Sequence, residues 1–172
     1  MNLRLVAYRR PKILQDIIVR AKLTPITNQD HPSKSGPCGD KRCKTCQHMI
    51  KTSTFCSAAT SKKLNIHGPN KPCKTKNVIN FITCKICSLQ YVGETEKLHE
   101  RISLHRSDWM MKKLYRKPSA EHVFSRGHNF SDITLIAIAH NHIWSYETRK
   151  KKEYYWIRRL RTLNPSGLNQ ED

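Results

Sequence analysis

Apolar positions from residue 78 onward predict a β-hairpin followed by a helix. The run "VINFIT" is rich in strand-forming residues, "LQYVGET" is a second such run, and "CKICS" lies between them. In the next segment, Leu98, Ile102 and Trp109 recur at helical spacing. The pattern predicts a helix that begins at about Glu96 and ends near Pro118.

Three further segments complete the predicted order of elements. The segment "SAEHVFSRGH" predicts one or two helical turns that enter a Gly loop, and "DITLIAIAH" alternates as a third strand. The last segment, "SYETRKKKEYYWIRRLRTL", predicts a helix with Ser145 as its N-cap and Asn164-Pro165 as its stop. The fold class is therefore a small α+β unit. A core of this size commonly needs a bound metal ion for stability.

The chain before this unit divides into two segments. Residues 1–30 predict a basic helical arm, in which Ile13, Ile17 and Ile18 form an apolar stripe after breaker residue Pro11. Turn and breaker residues follow. Residues 31–76 predict a Cys-rich connector with a short strand around Leu64 to Ile66, and residues 77–172 then form the α+β unit.

Charge indicates the kind of partner. Thirty-two Lys and Arg against thirteen Asp and Glu leave a formal net charge of +19, spread along the whole chain. Such a surface gains affinity for nucleic acid through counterion release, although a solvated basic surface would have the same composition. The first residues lack the apolar core of a signal peptide, and the stretch "ITLIAIAHNHIW" is too short to span a bilayer. We therefore expect a nucleic-acid partner and no membrane.

One group of Cys and His residues predicts a zinc site at the hairpin tip. Seven Cys in a chain without secretion signals favour metal ligation over disulfides. Cys84 and Cys87 lie between the two strands, and His122 and His128 follow later. Two thiolates and two imidazoles suit a tetrahedral structural zinc ion. The alternative is two buried thiols and two surface His.

A second zinc site is predicted in the connector. Cys38, Cys43 and Cys46 supply three thiolates, and Cys73 or His48 supplies the fourth ligand. A fourth thiolate is preferred because His48 lies only two residues after Cys46. Cys56 is then the spare thiol. A flexible basic loop with free Cys is the alternative.

Candidate catalytic residues lie on the predicted helices and on the second strand. Arg101 and His105 are four residues apart, so a helix presents them on one side, where they could neutralise a phosphate and move a proton. Tyr91 is a candidate orienting group or base, or a half-buried strand residue.

Glu153 is the candidate ligand for a hard cation. It shares a helical face with Ile157 and Leu160, so its carboxylate is expected to point inward, whereas Glu147 does not share that face. An inward carboxylate in a basic protein anchors an ion pair or binds Mg²⁺.

These segments resemble a known family. In order and spacing, "VINFITC", "YVGET", "RISLHRSD", "AEHVFSRGH", "EYYWIRRLRTL" and "PSGLN" resemble the GIY-YIG endonuclease of Penelope-like retrotransposons, across residues 77–169. The segment "YRRPKILQDIIVRAKL" is similar to the tail of that element's reverse transcriptase, and "PCGDKRCKTC" to its connecting region. The resemblance implies a three-stranded antiparallel sheet flanked by helices.

The resemblance also implies an activity and its residues. It implies a nuclear endonuclease that nicks target DNA with one Mg²⁺ or Mn²⁺ ion, has the element RNA as a further candidate partner, and uses no small-molecule substrate. The implied roles are Glu153 as metal ligand, Arg101 for phosphate charge, Tyr91 with His105 for proton transfer, and Asn169 as support. Structural zinc in one or two sites belongs to the same expectation.

One position departs from the family pattern. The related sequences have a second Tyr eleven residues before the position of Tyr91, where this chain has Asn80. An amide can form hydrogen bonds but cannot lose a proton to serve as a base. The alternative function is therefore a catalytically weak or inactive, zinc-stabilised nucleic-acid-binding remnant of a retroelement.

Overall fold

The computed structural model describes residues 33–110 and 127–170, without the side chains of residues 108–110. The chain divides into two units, Met1–His31 and Pro32–Asp172, and every described residue belongs to the second unit. The predicted arm of residues 1–30, the helical turns predicted in "SAEHVFSRGH" up to Arg126, and His122 lie outside the described residues.

The described elements begin with short strands, and the three longest strands come after residue 75. In order they are β1 (Ser35–Gly36), a first 3₁₀ helix (Lys44–His48), β2 (Thr54–Cys56), β3 (Lys63–Asn65), β4 (Lys71–Pro72), β5 (Lys76–Cys84), β6 (Gln90–Lys97), α1 (Leu98–Met110), a second 3₁₀ helix (Phe130–Asp132), β7 (Ile133–His140) and α2 (Tyr146–Leu160).

The predicted hairpin and third strand form one antiparallel sheet in the order β6-β5-β7. Strand β5 is central, and its β-branched and aromatic residues are buried on both faces, as expected for a strand covered from two sides. Asn80 on β5 lies opposite Gly93 on β6 and Ala137 on β7. The mixed α/β architecture with an antiparallel sheet is as the sequence predicted.

Each face of this sheet packs against one of the two α-helices found in the described residues. On one face, Leu98 and Ile102 of α1 pack on Val78, Ile82 and other residues of the first core cluster. On the other face, α2 contributes Leu160 to a second cluster that also contains Phe81 and Ile136. The helices therefore exclude water from opposite sides of β5.

The described connector residues pack on both faces of the same sheet. Met49 and Cys73 join the α1 face, whereas Phe55 and Ile66, from the region of the β2–β3 hairpin, join the α2 face. The Ser35 hydroxyl also accepts a hydrogen bond from the Ala137 backbone N–H at 2.8 Å. The described residues before and after position 76 therefore share packed clusters on both faces of the sheet.

Helix α2 begins where predicted and ends earlier. The Ser145 hydroxyl accepts a hydrogen bond from the Thr148 N–H at 3.3 Å, as an N-cap should. The helix ends at Leu160 because Arg161 adopts a left-handed conformation (φ 53°), so the stop predicted at Asn164-Pro165 was three residues too late. The chain then turns back to the sheet, which brings Asn169 to β6. No helix within the described ranges has the length and apolar character to cross a membrane.

Candidate active site

The outer edge of strand β6 is the scaffold of the candidate site. Strand β6 is an edge strand, so the backbone groups of every second residue point away from β5 and would lack partners. Three such residues are satisfied by distant parts of the chain. The Leu168 N–H donates to the Gln90 carbonyl at 2.8 Å, Asn169 binds Val92, and Glu153 binds Glu94.

Asn169 clamps the centre of this edge. Its Oδ1 accepts from the Val92 N–H at 2.9 Å and from the Thr162 hydroxyl at 2.8 Å, while its Nδ2 donates to the Val92 carbonyl at 2.8 Å. Gly167 allows the turn that delivers it, because a Cβ there would lie 2.2 Å from the Thr162 carbonyl oxygen. Asn169 therefore supports the strand that carries Tyr91.

Glu153 reaches the same edge from helix α2. It is buried on the face that also carries Ile157 and Leu160, as its spacing predicted, whereas Glu147 is exposed. Oε1 accepts from the Glu94 N–H at 2.9 Å, and Oε2 pairs with the Lys150 ammonium at 2.8 Å. Glu153 thus presents a fixed carboxylate beside the strand of Tyr91.

Tyr91 packs on the α1 face beside the other predicted catalytic residues. Its ring meets that of His105 edge-on, with centroids 6.3 Å apart, and Arg101 is half-buried on the same helix. Burial raises the pKa of the Tyr91 hydroxyl, and the Arg101 charge offsets part of this rise. The phenol therefore stays protonated at neutral pH and can orient a group by donating its hydrogen bond.

Gly93 allows Tyr91 to lie over the strand. A Cβ at position 93 would come within 2.8 Å of the Tyr91 ring carbon Cε1 and 3.1 Å of the Tyr91 hydroxyl. The same Cβ would lie 3.2 Å from Oδ1 of Asn80. The Gly in "YVG" is thus explained by the close approach of two side chains that converge above it.

The buried side chain of Asn80 lacks hydrogen-bond partners among the described residues. Its side chain is fully buried, and neither Oδ1 nor Nδ2 has a hydrogen-bond partner among the described residues. Its neighbours across the sheet, Gly93 and Ala137, are small and offer no side-chain donor or acceptor. The position at which the family pattern has a phenol therefore holds an amide beside Tyr91 in an apolar setting.

A buried ion pair that sequence reasoning missed braces Glu94. The Arg149 Nε donates to Glu94 Oε2 at 2.8 Å, and its Nη1 donates to Asn77 Oδ1 at 2.9 Å. Arg149 is only 8% exposed, although it lies in a strongly basic segment. The one available signal was its place four residues before Glu153, on the same helical face.

The four predicted connector thiols converge in one cluster. Cys38, Cys43, Cys46 and Cys73 have Sγ atoms within 4.8 Å of one another, with Cys43 and Cys73 at 3.3 Å. Hydrogen bonding, chiefly from Cys73, lowers the pKa of Cys38 to about 7, whereas burial raises the pKa of Cys73. Four thiolates in this arrangement could hold a zinc ion.

The alternative fourth ligand, His48, and the spare thiol, Cys56, both lie outside this cluster. His48 lies against Phe130, with ring centroids 4.7 Å apart, and is outside the thiol cluster. Cys56 is exposed and belongs to neither group of potential ligands in the part of the chain that the structure describes.

Three of the four ligands predicted at the hairpin tip also meet. Cys84, Cys87 and His128 present ligand atoms within 4.8 Å of one another, and the Cys84 Sγ lies 3.4 Å from Nδ1 of His128. His122, the predicted fourth ligand, lies outside the described residues. The group could hold a metal that ties the hairpin to the start of β7.

Comparison with protein families matches residues 76–169 to the GIY-YIG catalytic domain. The chain belongs to the GIY-YIG family. This is a nuclease-type endonuclease family, so the match implies a nucleic-acid substrate and a divalent metal. Comparisons with curated proteins and with solved structures gave no match.

Proposed function

We propose that this chain is a DNA endonuclease that hydrolyses one phosphodiester bond with a single divalent ion bound by Glu153. One observation carries the proposal. Within the GIY-YIG domain, the buried Glu153 carboxylate is fixed by the Glu94 N–H at 2.9 Å, three residues along the strand from the buried Tyr91.

The donor set of Glu153 suits Mg²⁺ or Mn²⁺. Mg²⁺ is commonly held by one or two carboxylates together with waters and substrate phosphates, and a carboxylate retains acceptor sites beyond the two that Glu94 and Lys150 occupy. The ion would supply positive charge against the charge that develops on the phosphate. Among the described residues, the clusters of three or more potential ligands all contain Cys, so Glu153 belongs to no such cluster.

The remaining residues have distinct roles on the α1 face. Arg101 neutralises the phosphate, while the protonated Tyr91 hydroxyl orients the attacking water and His105 takes its proton. The water oxygen bonds to phosphorus, the bond between phosphorus and the 3′ oxygen breaks, and that oxygen takes a proton from solvent water to leave as a 3′ hydroxyl, while His105 later returns its proton to solvent. Asn169 acts through the backbone of Val92 and does not touch the substrate.

The biological setting follows the resemblance to Penelope-like elements. We propose that the chain is the C-terminal part of such an element's polyprotein, acts in the nucleus, and nicks the target so that the new 3′ end primes reverse transcription. The motifs "YRRPKILQDIIVRAKL" and "PCGDKRCKTC" support this setting. The element RNA is then a further candidate partner.

The test is a nicking assay on supercoiled plasmid with two matched Glu variants. Both Glu153→Gln and Glu147→Gln remove one negative charge from α2, but Glu147 is exposed and lies in the first turn of the helix. We expect Glu153→Gln to slow Mg²⁺-dependent nicking by about 100-fold or more, since electrostatic groups at reacting centres contribute on that order. Glu147→Gln is expected to stay within about twofold of native. Equal rates in both variants would reject Glu153 as the metal ligand.

A second candidate function is a zinc-stabilised nucleic-acid-binding remnant without cleavage activity. The buried, unsatisfied amide of Asn80 favours this alternative. It predicts tight binding with no Mg²⁺-dependent nicking in native protein or in either Glu variant.

A further inference from the structure

A groove of about 570 Å³ separates the first 3₁₀ helix from α1. The connector contributes Lys44 to its wall, and α1 contributes Ser103, Arg106 and Ser107. Ile102 lies at its apolar base. The groove is distinct from the candidate active site, although both use helix α1.

The lining chemistry of this groove suits a phosphodiester backbone. Two cations, Lys44 and Arg106, face it together with the hydroxyls of Ser103 and Ser107, and none of the described lining residues is acidic. Lys44 is exposed and Arg106 is half-buried, so both can exchange water for a ligand. Cationic groups and hydroxyl donors are the side chains that contact phosphate oxygens in nucleic-acid complexes.

The groove lies at a suitable distance from the residues proposed to act on the phosphate. Arg106 directly follows His105 and lies five residues after Arg101 on α1. Five residues of α-helix span about 7.5 Å along the helix axis and about 140° around it. A strand that reaches Arg101 can therefore pass around α1 into the groove over a distance of this order.

We propose that this groove binds the sugar–phosphate backbone of the substrate DNA strand, next to the scissile phosphate. The identity of the strand rests on the proposed endonuclease function. Lys44 directly follows Cys43, so the four-thiol cluster fixes the position of a residue that contacts the substrate. The connector is thereby a part of the DNA-binding surface as well as of the core.

The test measures DNA binding as a function of salt in buffer without Mg²⁺, where strand cleavage cannot contribute. We compare native protein, Lys44→Gln/Arg106→Gln, and Lys62→Gln/Lys63→Gln, which also removes two charges but on the exposed β2–β3 hairpin. Each lost phosphate contact lowers the slope of log K against log salt by roughly 0.7 to 0.9. We expect the groove variant to lose about 1.5 from the slope and the hairpin variant to lose none.

A second measurement covers the case in which charge removal disturbs folding. A benzophenone side chain is introduced at the exposed Ser103, which lines the groove, or at the exposed Ala59, which follows β2, and is irradiated with labelled DNA. Crosslinking at position 103 well above that at position 59 supports the proposal. Equal slopes in the two double variants, equal crosslinking, or no binding by native protein would overturn it.

The outcomes separate this proposal from the proposed function. Groove-dependent binding without Mg²⁺-dependent nicking retains the DNA groove and rejects the endonuclease. Nicking that requires Glu153, together with binding that is insensitive to Lys44 and Arg106, retains the endonuclease and rejects the groove.

Discussion

Buried polar side chains are fully hydrogen-bonded at the edge of β6 but lack hydrogen-bond partners at the centre of β5. At the edge, Asn169 makes three hydrogen bonds through its side chain, and Glu153 is held from two sides. At the centre, Asn80 is equally buried, yet both of its amide atoms lack partners within the described residues. The frame of the site is complete, whereas one position inside it is unsatisfied.

This difference indicates which part of the molecule is adapted to its present residues. A buried amide without hydrogen-bond partners costs about 1–3 kcal/mol. Asn80 therefore lowers the stability of the fold, and no hydrogen bond among the described residues offsets this cost. Gly93 and Ala137, which lie opposite Asn80 across the sheet, offer no side-chain donor or acceptor that could satisfy it. We infer that the frame suits a nuclease in which position 80 carries a different group.

The largest expected effect comes from removing a cysteine ligand of a predicted zinc site. We expect purified protein to contain about two zinc equivalents, and Cys73→Ser to lose one together with most of the fold, because zinc binding contributes roughly 10–16 kcal/mol in small zinc domains. The exposed Cys56 provides the control, since Cys56→Ser should keep both equivalents. Elemental analysis and thermal unfolding measure the two effects.

Two results would revise this expectation. Zinc content near zero in protein made under reducing, zinc-replete conditions would reject both sites. One equivalent that is lost in Cys84→Ser and retained in Cys43→Ser would keep the hairpin site and reject the connector site.

Asn169→Ala is expected to have the next largest effect. It leaves the buried N–H and carbonyl of Val92 and the Thr162 hydroxyl without this partner, which should lower the free energy of unfolding by about 2–4 kcal/mol. In the matched Asn70→Ala variant, an exposed hydrogen bond to the Lys34 N–H is lost, at less than about 1 kcal/mol. Urea unfolding compares them, and equal losses would remove the contrast between clamp and surface.

Asn80→Leu should have a smaller effect of the opposite sign. Removing an unsatisfied buried amide is expected to raise the free energy of unfolding by about 1–2 kcal/mol. Asn80→Asp is the companion variant, and should destabilise the protein because a charge cannot be buried there without a partner. If Asn80→Leu instead destabilises the protein, the amide has a ligand in solution and the contrast with Asn169 fails.

Local patterns predicted the elements that carry the site. The apolar runs gave β5, β6 and β7, the Ser145 cap fixed the start of α2, and helical spacing predicted that Glu153 is buried while Glu147 is exposed. These features depend on residues near one another in sequence, so periodicity and capping chemistry are sufficient.

Contacts between distant segments could not be predicted in the same way. The Arg149–Glu94 ion pair joins residues 55 positions apart, and nothing local distinguishes Arg149 from the basic residues around it. The packing of Phe55 and Met49 on opposite faces of the sheet also depends on the path of the connector. Position 80 could be recognised as unusual, but its lack of partners depends on which residues three strands bring together.

The most direct test of the contrast is the plasmid-nicking rate of Asn80→Tyr, alone and combined with Glu153→Ala. If the frame is intact and position 80 limits the reaction, the added phenol should raise the Mg²⁺-dependent rate by about 10-fold or more, because it restores a group that can orient or activate water. Adding Glu153→Ala should abolish the gain. No gain over a measurable native rate, or a gain that persists without Glu153, would contradict the account.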